Sequence, residues 1–412
     1  MLGDDRLRGA IQKNKPNRLL LIIAYLGFIS LGLPDTVIGI AWPSVRDTFG
    51  LPQSAMSAVL LCGGMSYLLT SFFTGRLLGW LRIGVLLAAS SALVAVSNFG
   101  FALAPVWLLF VPFAILHGAG SGAIDAGLNH YVAHHFSARH MNWLHACYSL
   151  GATFGPMIMT AVVVWYGAWR TGYFAVAMIL LVLAVLFSVT RRKWDEPGSS
   201  EEEKVADETG SASLGETLRD RTVWLQVILF FFYTGLELTL GHWSFTILTE
   251  ARRIPVETAG LWVTIYWGSI AGGRVLFGFI VERIGVDRLV RWSSLGVVMG
   301  VLLFGAFPEY AVAALALAGL GLAPIYPCLM TRTPQRVGKQ IAAHAIGLQV
   351  SAAMLGGAAL PSVSGFLAQQ LGLEKIVGAT LVMAIVVWLL HEGLLFRGRK
   401  QQGRTAANAA ER

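Results

Sequence analysis

Long apolar runs separated by short polar connections dominate the chain. A run of about 20 apolar residues is long enough to cross a bilayer as a helix. On that basis the pattern predicts helices over 19–43, 53–74, 83–104, 106–132, 141–165 and 171–190. Six more follow over 222–249, 257–281, 288–306, 310–331, 340–368 and 373–396. Between the two groups lies RRKWDEPGSSEEEKVADETGSAS, rich in charge, Ser and Gly, with almost nothing to bury. The predicted organisation is a six-helix bundle over 1–190, a linker over 191–221, a second six-helix bundle over 222–396 and a tail over 397–412.

Composition agrees with lipid as the solvent. The chain is 55% hydrophobic and 13% charged, against roughly 25% charge for a soluble domain. A net charge of +8 would suit a nucleic-acid surface only if the basic residues shared a polar face. Here they sit in loops. About 25 of the 31 Lys and Arg fall on the tails and even-numbered connections, while Arg46, Arg170, Arg252, Arg253 and Lys375 fall on the odd-numbered ones. Positive loops stay on the cytoplasmic side, so both termini and the linker are expected there. The polar segment 1–18 precedes an apolar run too long for a secretory signal, and it is expected to be retained. Cys62, Cys147 and Cys328 lie inside apolar runs without metal-ligand spacing and read as small core residues.

The two halves also look alike. Gly32-Leu33-Pro34-Asp35 corresponds to Gly235-Leu236-Glu237 at an offset of about 202 residues. Similar offsets relate Gly75 to Gly278, and Leu150-Gly151 with Pro156 to Leu355-Gly356 with Pro361. This order supports a duplicated six-helix unit, a layout in which solute sites form between repeats.

GFIVERIGVDR (residues 278–288) resembles the Gly-x-x-x-Asp-Arg-x-Gly loop of the major facilitator superfamily, with Glu282 in the acidic place. Its first-half counterpart, GRLLGWLRIG, has Gly79 instead of the acid. The resemblance covers essentially the whole chain. Within that superfamily the sequence is similar to the fucose permease and sodium-glucose transporter-like branch, through GLPDTVIGIAWP, GSGAIDAGLNHYV, MNWLHACYSLGATFGP and APIYPCLM. It implies an all-α membrane protein of twelve transmembrane helices in two pseudo-symmetric six-helix bundles, the major facilitator fold. Carried over by position, Asp35, Asp125, Asn129 and Asn142 match polar residues of that branch. Asp125 and His145 depart from the Glu and the amide that fucose permeases tend to carry.

A carboxylate at bilayer depth costs about 2.5 to 3.5 kcal/mol on insertion scales, so it faces the protein interior and marks a functional site. Asp35, Asp125 and Glu237 are three such groups. Desolvation moves a carboxyl toward protonation, which suits Asp35, Asp125 and Glu237 to proton coupling; the same oxygens suit Na⁺. His117, Ser121, Asp125 and Asn129 line one face of the fourth helix, with Gly118, Gly120 and Gly122 between them for close packing. Asn142, His145 and Ser149 repeat the pattern on the fifth. Asp35 is expected above the midplane and Asp125 below it, as separate groups and not a dyad. Trp243, Trp267, Tyr326 and Gln349 are the second-half candidates for the solute, because a sugar offers apolar faces to aromatic rings and hydroxyls to amides. Arg274 is expected to pair structurally near a helix end, with Glu282 or a neighbouring helix.

These residues predict a proton-coupled symporter that takes up a monosaccharide or similar small polar solute by alternating access. A Na⁺-coupled sugar symporter and a proton-coupled efflux pump for amphipathic compounds are the alternatives. No Gly-x-x-x-x-Gly-Lys-Ser/Thr nucleotide loop is present. An enzyme using His134, His135 and His145 with Asp125 is set aside, and no metal or cofactor beyond the coupling ion is expected. The expected partners are the solute and the bilayer of a bacterial inner membrane, with no nucleic acid, and the protein is expected to act as a monomer.

Overall fold

In lipid a segment must satisfy its own backbone, and the helix is the open element that does so. The computed structural model, which describes residues 18–136, 138–194 and 214–410, is accordingly helical, with twelve helices long and apolar enough to cross a membrane. They are α1 (Arg18–Phe49), α2 (Gln53–Trp80), α3 (Ile83–Leu103), α4 (Trp107–Ala133), α5 (Trp143–Tyr166) and α6 (Trp169–Lys193). The second set is α7 (Arg221–Ala251), α8 (Val256–Ile284), α9 (Val286–Ala306), α10 (Pro308–Val337), α11 (Gln340–Leu371) and α12 (Lys375–Arg399). Several outrun the predicted spans, α1 and α10 most clearly, because helical hydrogen bonding continues past the apolar run into polar turns. Residues 195–213 of the predicted linker lie outside the described residues, and the short helix Leu214–Arg219 follows them.

The packing scheme of one set repeats in the other. α1 packs on α5, α2 on α4, α3 on α4 and α6; likewise α7 packs on α11, α8 on α10, α9 on α10 and α12. Between the sets, α1 meets α7, α2 meets α11 and α5 meets α8. The glycines of the sequence repeat make these approaches possible. A Cβ on Gly32 would overlap the Tyr148 backbone of α5, and one on Gly151 the Ile29 carbonyl of α1. Gly235 and Gly356 do the same between α7 and α11, against Gly356 and Leu360 on one side and Phe231 on the other. Small residues substitute here for the hydrophobic driving force that lipid removes.

Two spans are interrupted where chemistry gathers. α1 is helical over Arg18–Asp35 and again over Val37–Phe49, with a turn at Thr36 whose Oγ1 donates to Ala152 O at 3.0 Å. Pro34 adds to the break, since proline cannot donate within a helix. α10 breaks between Leu322 and Ile325, at Pro324, and the Leu322 carbonyl accepts Tyr233 Oη at 3.2 Å.

The two ends of the molecule differ. At the end holding the α1–α2 turn, here the Gly50 end, Gln53 is a hub between the bundles. Its Oε1 accepts Trp42 Nε1 at 3.0 Å, its Nε2 donates to Glu250 Oε2 at 2.8 Å, and its backbone N–H donates to Gln369 Oε1 at 2.8 Å. Arg46 faces Glu250 at 3.2 Å, and Ser57 Oγ donates to Ser362 O at 3.0 Å. At the opposite, Arg82 end, a Cβ added to Gly75 or Gly79 of α2, Gly278 of α8 or Gly347 of α11 would meet nothing within 4 Å, as would one on Gly50, Gly167 or Gly372 in the turns of the first end; the links between bundles are what set the Gly50 end apart.

The loop resembling the superfamily motif is corrected in one respect. Glu282 is exposed. The acid that pairs across helix ends is Asp287, five residues on, which faces Arg332 at 2.5 Å and Arg336 at 2.9 Å from α10. His391 Nε2 of α12 lies 3.1 Å from the Asp287 carbonyl. Gly285, at φ +84, turns the chain between α8 and α9 and sets Asp287 in the first turn of α9.

Candidate functional site

Three polar centres lie where the bundles meet. The first surrounds Asp35, placed by the break in α1. Its Oδ1 is 3.1 Å from His117 Nε2 of α4, and its Oδ2 accepts Tyr148 Oη of α5 at 3.0 Å. The Asp35 side chain is 26% exposed. His117 Nδ1 stands 3.5 Å from Ser97 Oγ of α3.

The second centre is Asp125, two turns along α4 from His117. Its Oδ1 accepts Asn129 Nδ2 at 3.0 Å, and it interacts electrostatically with the Tyr67 side chain of α2. Gly118 and Gly122 let α4 press against the α2 backbone at Gly63 and Tyr67, while Gly120 does so against α3. Asp35 and Asp125 keep separate hydrogen-bond partners, yet they interact electrostatically and Tyr67 feels both.

The third centre is Glu237 of α7, and it is of another kind. Arg274 Nη2 of α8 faces Glu237 Oε1 at 3.6 Å, Tyr233 donates to Glu237 Oε2, and Tyr266 Oη donates to the Glu237 carbonyl at 2.8 Å. Arg274 also donates from Nη1 to Ser149 of α5. Glu237 thus has a fixed cation beside it, whereas among the described residues no Lys or Arg pairs with Asp35 or Asp125. Of the two partners expected for Arg274, Glu282 or a neighbouring helix, the structure has the second; the pair lies at the junction of the bundles and not at a helix end, because Glu237, inside the protein, offers Arg274 a charge.

Other predicted residues divide. Asn129 joins Asp125. His145 packs edge-on against Phe28, centroids 5.4 Å apart, within electrostatic reach of Arg274. Tyr326, at the break in α10, packs on Phe230 at 5.1 Å and Tyr233 at 6.1 Å, and it interacts electrostatically with Asp125 across the bundles. Asn142 is on a helix, but its side chain lies outside the described residues.

Three are enclosed and do not line an open site in this conformation. Trp243 is fully buried, its Nε1 donating to Pro361 O at 2.9 Å, so it wedges α7 against α11. Gln349 is fully buried too; Thr333 Oγ1 lies 3.0 Å from its Oε1 and 3.2 Å from Gln226 Oε1, a brace within the second bundle. Trp267 is 1% exposed, its ring seated where a Cβ on Gly241 would be. Aromatic and amide residues in apolar helices serve packing as readily as binding, and the sequence pattern does not separate the two.

Sequence reasoning missed the phenols. Tyr148 and Tyr233 bond Asp35 and Glu237, and Tyr67 interacts with Asp125. The spacing of Tyr233 and Glu237, one helical turn, was a readable signal. Tyr67 and Tyr148 act between helices and left none. A depression of about 510 Å³ at the Gly50 end, lined by Arg46, Asp47, Glu250 and Arg253 among others, lies apart from all three centres.

Comparison with known proteins agrees with this fold. The chain is 22% identical over 380 residues to the glucose/mannose transporter GlcP of Bacillus subtilis, covering 89% of this chain and 92% of that protein. Among solved structures, a D-xylose-proton symporter superposes with a TM-score of 0.70 at 16% identity, covering 91% of this chain and 96% of the other. A bacterial homolog of the human lysosomal transporter Spinster, in an inward-facing and unoccupied conformation, gives 0.74 at 14% identity, covering 93% and 97%. The family model described as Major Facilitator Superfamily matches residues 24–251 and 242–412. Twelve apolar helices, one packing scheme used twice and these matches identify an integral membrane protein of the Major Facilitator Superfamily, a family of transporters and not of enzymes.

Proposed function

We propose that the protein is a secondary active transporter, a proton-coupled symporter that takes up a monosaccharide or similar small polar solute. The observation that carries this reading is the contrast among the carboxylates. Glu237 is compensated by Arg274, whereas Asp35 and Asp125 are held by His117, Tyr148, Asn129 and Tyr67 and no fixed cation. A carboxylate in such surroundings changes charge by taking up a proton. Asp35 and Asp125 are therefore the proposed coupling groups. Glu237, the third candidate, is instead read as the anion of an ion pair within the second bundle, whose Arg274 also reaches Ser149 of the first.

In this reading the solute is received among Asn129, His145 and Tyr326, beside Asp125. Sugar transport in the relative from Bacillus subtilis supports the solute class. The proposed orientation places the Arg82 end in the cytoplasm, from the distribution of Lys and Arg. The links at the Gly50 end then close the outside, and the conformation is inward-facing. Rocking of the bundles along α1–α7, α2–α11 and α5–α8 would expose the same centres to the other side.

The test is uptake of labelled D-glucose, D-mannose, D-galactose and L-fucose into proteoliposomes under imposed proton or Na⁺ gradients. Concentrative uptake driven by the proton gradient and lost in Asp35→Asn and Asp125→Asn is the expected result. Undiminished accumulation in both variants, or accumulation only with Na⁺, would overturn the coupling assignment.

A further inference from the structure

His117 is the polar side chain of the site whose hydrogens can be counted. Ser97 Oγ lies 2.7 Å from the Val94 carbonyl, an acceptor only, so the single Ser97 hydrogen is spent there. Toward His117 Nδ1, 3.5 Å away, Ser97 offers a lone pair, and the hydrogen on that contact belongs to Nδ1. With Nδ1 protonated, a neutral ring has a bare lone pair at Nε2. That lone pair faces Asp35 Oδ1 at 3.1 Å.

Two lone pairs do not bond, so one further proton sits between them. Either Asp35 is neutral and donates to Nε2, or the imidazolium donates to the carboxylate. Tyr148 donates to the second carboxylate oxygen and supplies nothing to the first. Once that proton leaves, the neutral ring keeps one of its two contacts. It either holds Ser97 and loses Asp35, or moves its hydrogen to Nε2 and loses Ser97.

We infer that His117 is the positioning residue for the transported proton, which is shared between Asp35 Oδ1 and His117 Nε2 and couples its departure to loss of a contact between α4 and either α1 or α3. The inference rests on the proton-symport reading above. Other groups facing the pair are named by the same geometry. Tyr148 comes from α5, and Phe101 of α3 lies against the imidazole with ring centroids 6.2 Å apart. Asp125 of α4, Tyr67 of α2 and His242 of α7 interact electrostatically with Asp35. None of them donates to Asp35 Oδ1 among the described hydrogen bonds, which leaves His117 as its partner.

The experiment uses the full-length protein in proteoliposomes with the sugar that the uptake panel identifies, and a trapped pH-sensitive dye to follow protons. His117→Gln keeps a donor for Asp35 but has no group that titrates. It is expected to lower accumulation driven by a proton gradient at least tenfold, while counterflow of the sugar at equal pH falls less than threefold. Ser97→Ala removes one oxygen and frees the ring to take the other tautomer, which favours the deprotonated pair. Its uptake should need more acid, with the half-maximal pH displaced downward. Equal losses of accumulation and counterflow in His117→Gln, or a Ser97→Ala profile that is unmoved or displaced upward, would overturn the inference while leaving symport intact. Sugar entry by the unsubstituted protein without proton entry would instead overturn the symport reading, and this inference with it.

Discussion

Arg274 stands 3.6 Å from Glu237 within the second bundle and, through another nitrogen of the same guanidinium, donates to Ser149 of the first. One cation thus serves an ion pair and a contact between bundles. The pair is largely buried, at 14% and 7% exposure, so its members are interdependent.

Removing one partner strands the other charge in a medium that solvates it poorly, at a cost of about 3 to 5 kcal/mol. Arg274→Ala and Glu237→Ala should each lower thermal stability in detergent substantially. The double variant should be more stable than the sum of the single losses predicts. Strict additivity in a double-mutant cycle would show that the two charges do not depend on one another.

Gln53 ties Trp42 to Glu250 through its side chain. A hydrogen bond contributes about 0.5 to 1.5 kcal/mol net, and a loss of about 1.4 kcal/mol shifts a two-state equilibrium tenfold. Gln53→Ala should therefore increase opening at the Gly50 end. Thr160, buried against Gly260 between α5 and α8, is a suitable reporter as Thr160→Cys, with Cys62, Cys147 and Cys328 replaced. Its labelling by a membrane-impermeant maleimide should rise about tenfold. Unchanged labelling would remove Gln53 from the closure.

Gly32 has the Tyr148 backbone where a Cβ would go, while Gly278 has open space. Overpacking costs about 1 to 3 kcal/mol, more where the obstacle is backbone. Gly32→Val should separate α1 from α5 and give protein that fails to run as a single species in size-exclusion chromatography. Gly278→Ala should behave as the parent does. Equal behaviour of the two would contradict the described α1–α5 packing.

Asp287 holds Arg332 and Arg336, and Glu282 is exposed. Asp287→Asn should slow transport and lower stability by about 1 kcal/mol, the modest figure suited to a pair about one-third exposed. Glu282→Gln should do neither. Uptake rates that fall more for Glu282→Gln would restore the acid of the motif to the role its position suggests.

The helices were legible because lipid imposes a simple demand, and a run of apolar residues of fixed length answers it. The repeat was legible too. Gly32 and Gly235, with Gly151 and Gly356, occupy matching contacts because identical backbone approaches need the same small residue. Asp35, Asp125 and Glu237 stood out by their cost. Their partners did not. Whether a carboxylate meets Arg274 or His117 depends on how helices far apart in sequence rotate toward one another, which the period of one helix does not encode. For the same reason the sequence offers Trp243 and Gln349 as solute ligands, while in this conformation both are enclosed and bonded within the second bundle: residue type is shared between packing and binding.

The interruption of α1 at Thr36 leaves Asp35 on a mechanical seam. The segment before it leans on α5 of its own bundle, while Gly39, just after it, nestles against Gly241 and His242 of α7. Any parting of the bundles at the Gly50 end tugs on the later segment, and the slack is taken up at the peptide beside the acid. In the proposed symport, protonation and large-scale movement would share this joint, and the side chain proposed to hold the proton would also be the one best placed to register which way the molecule has swung.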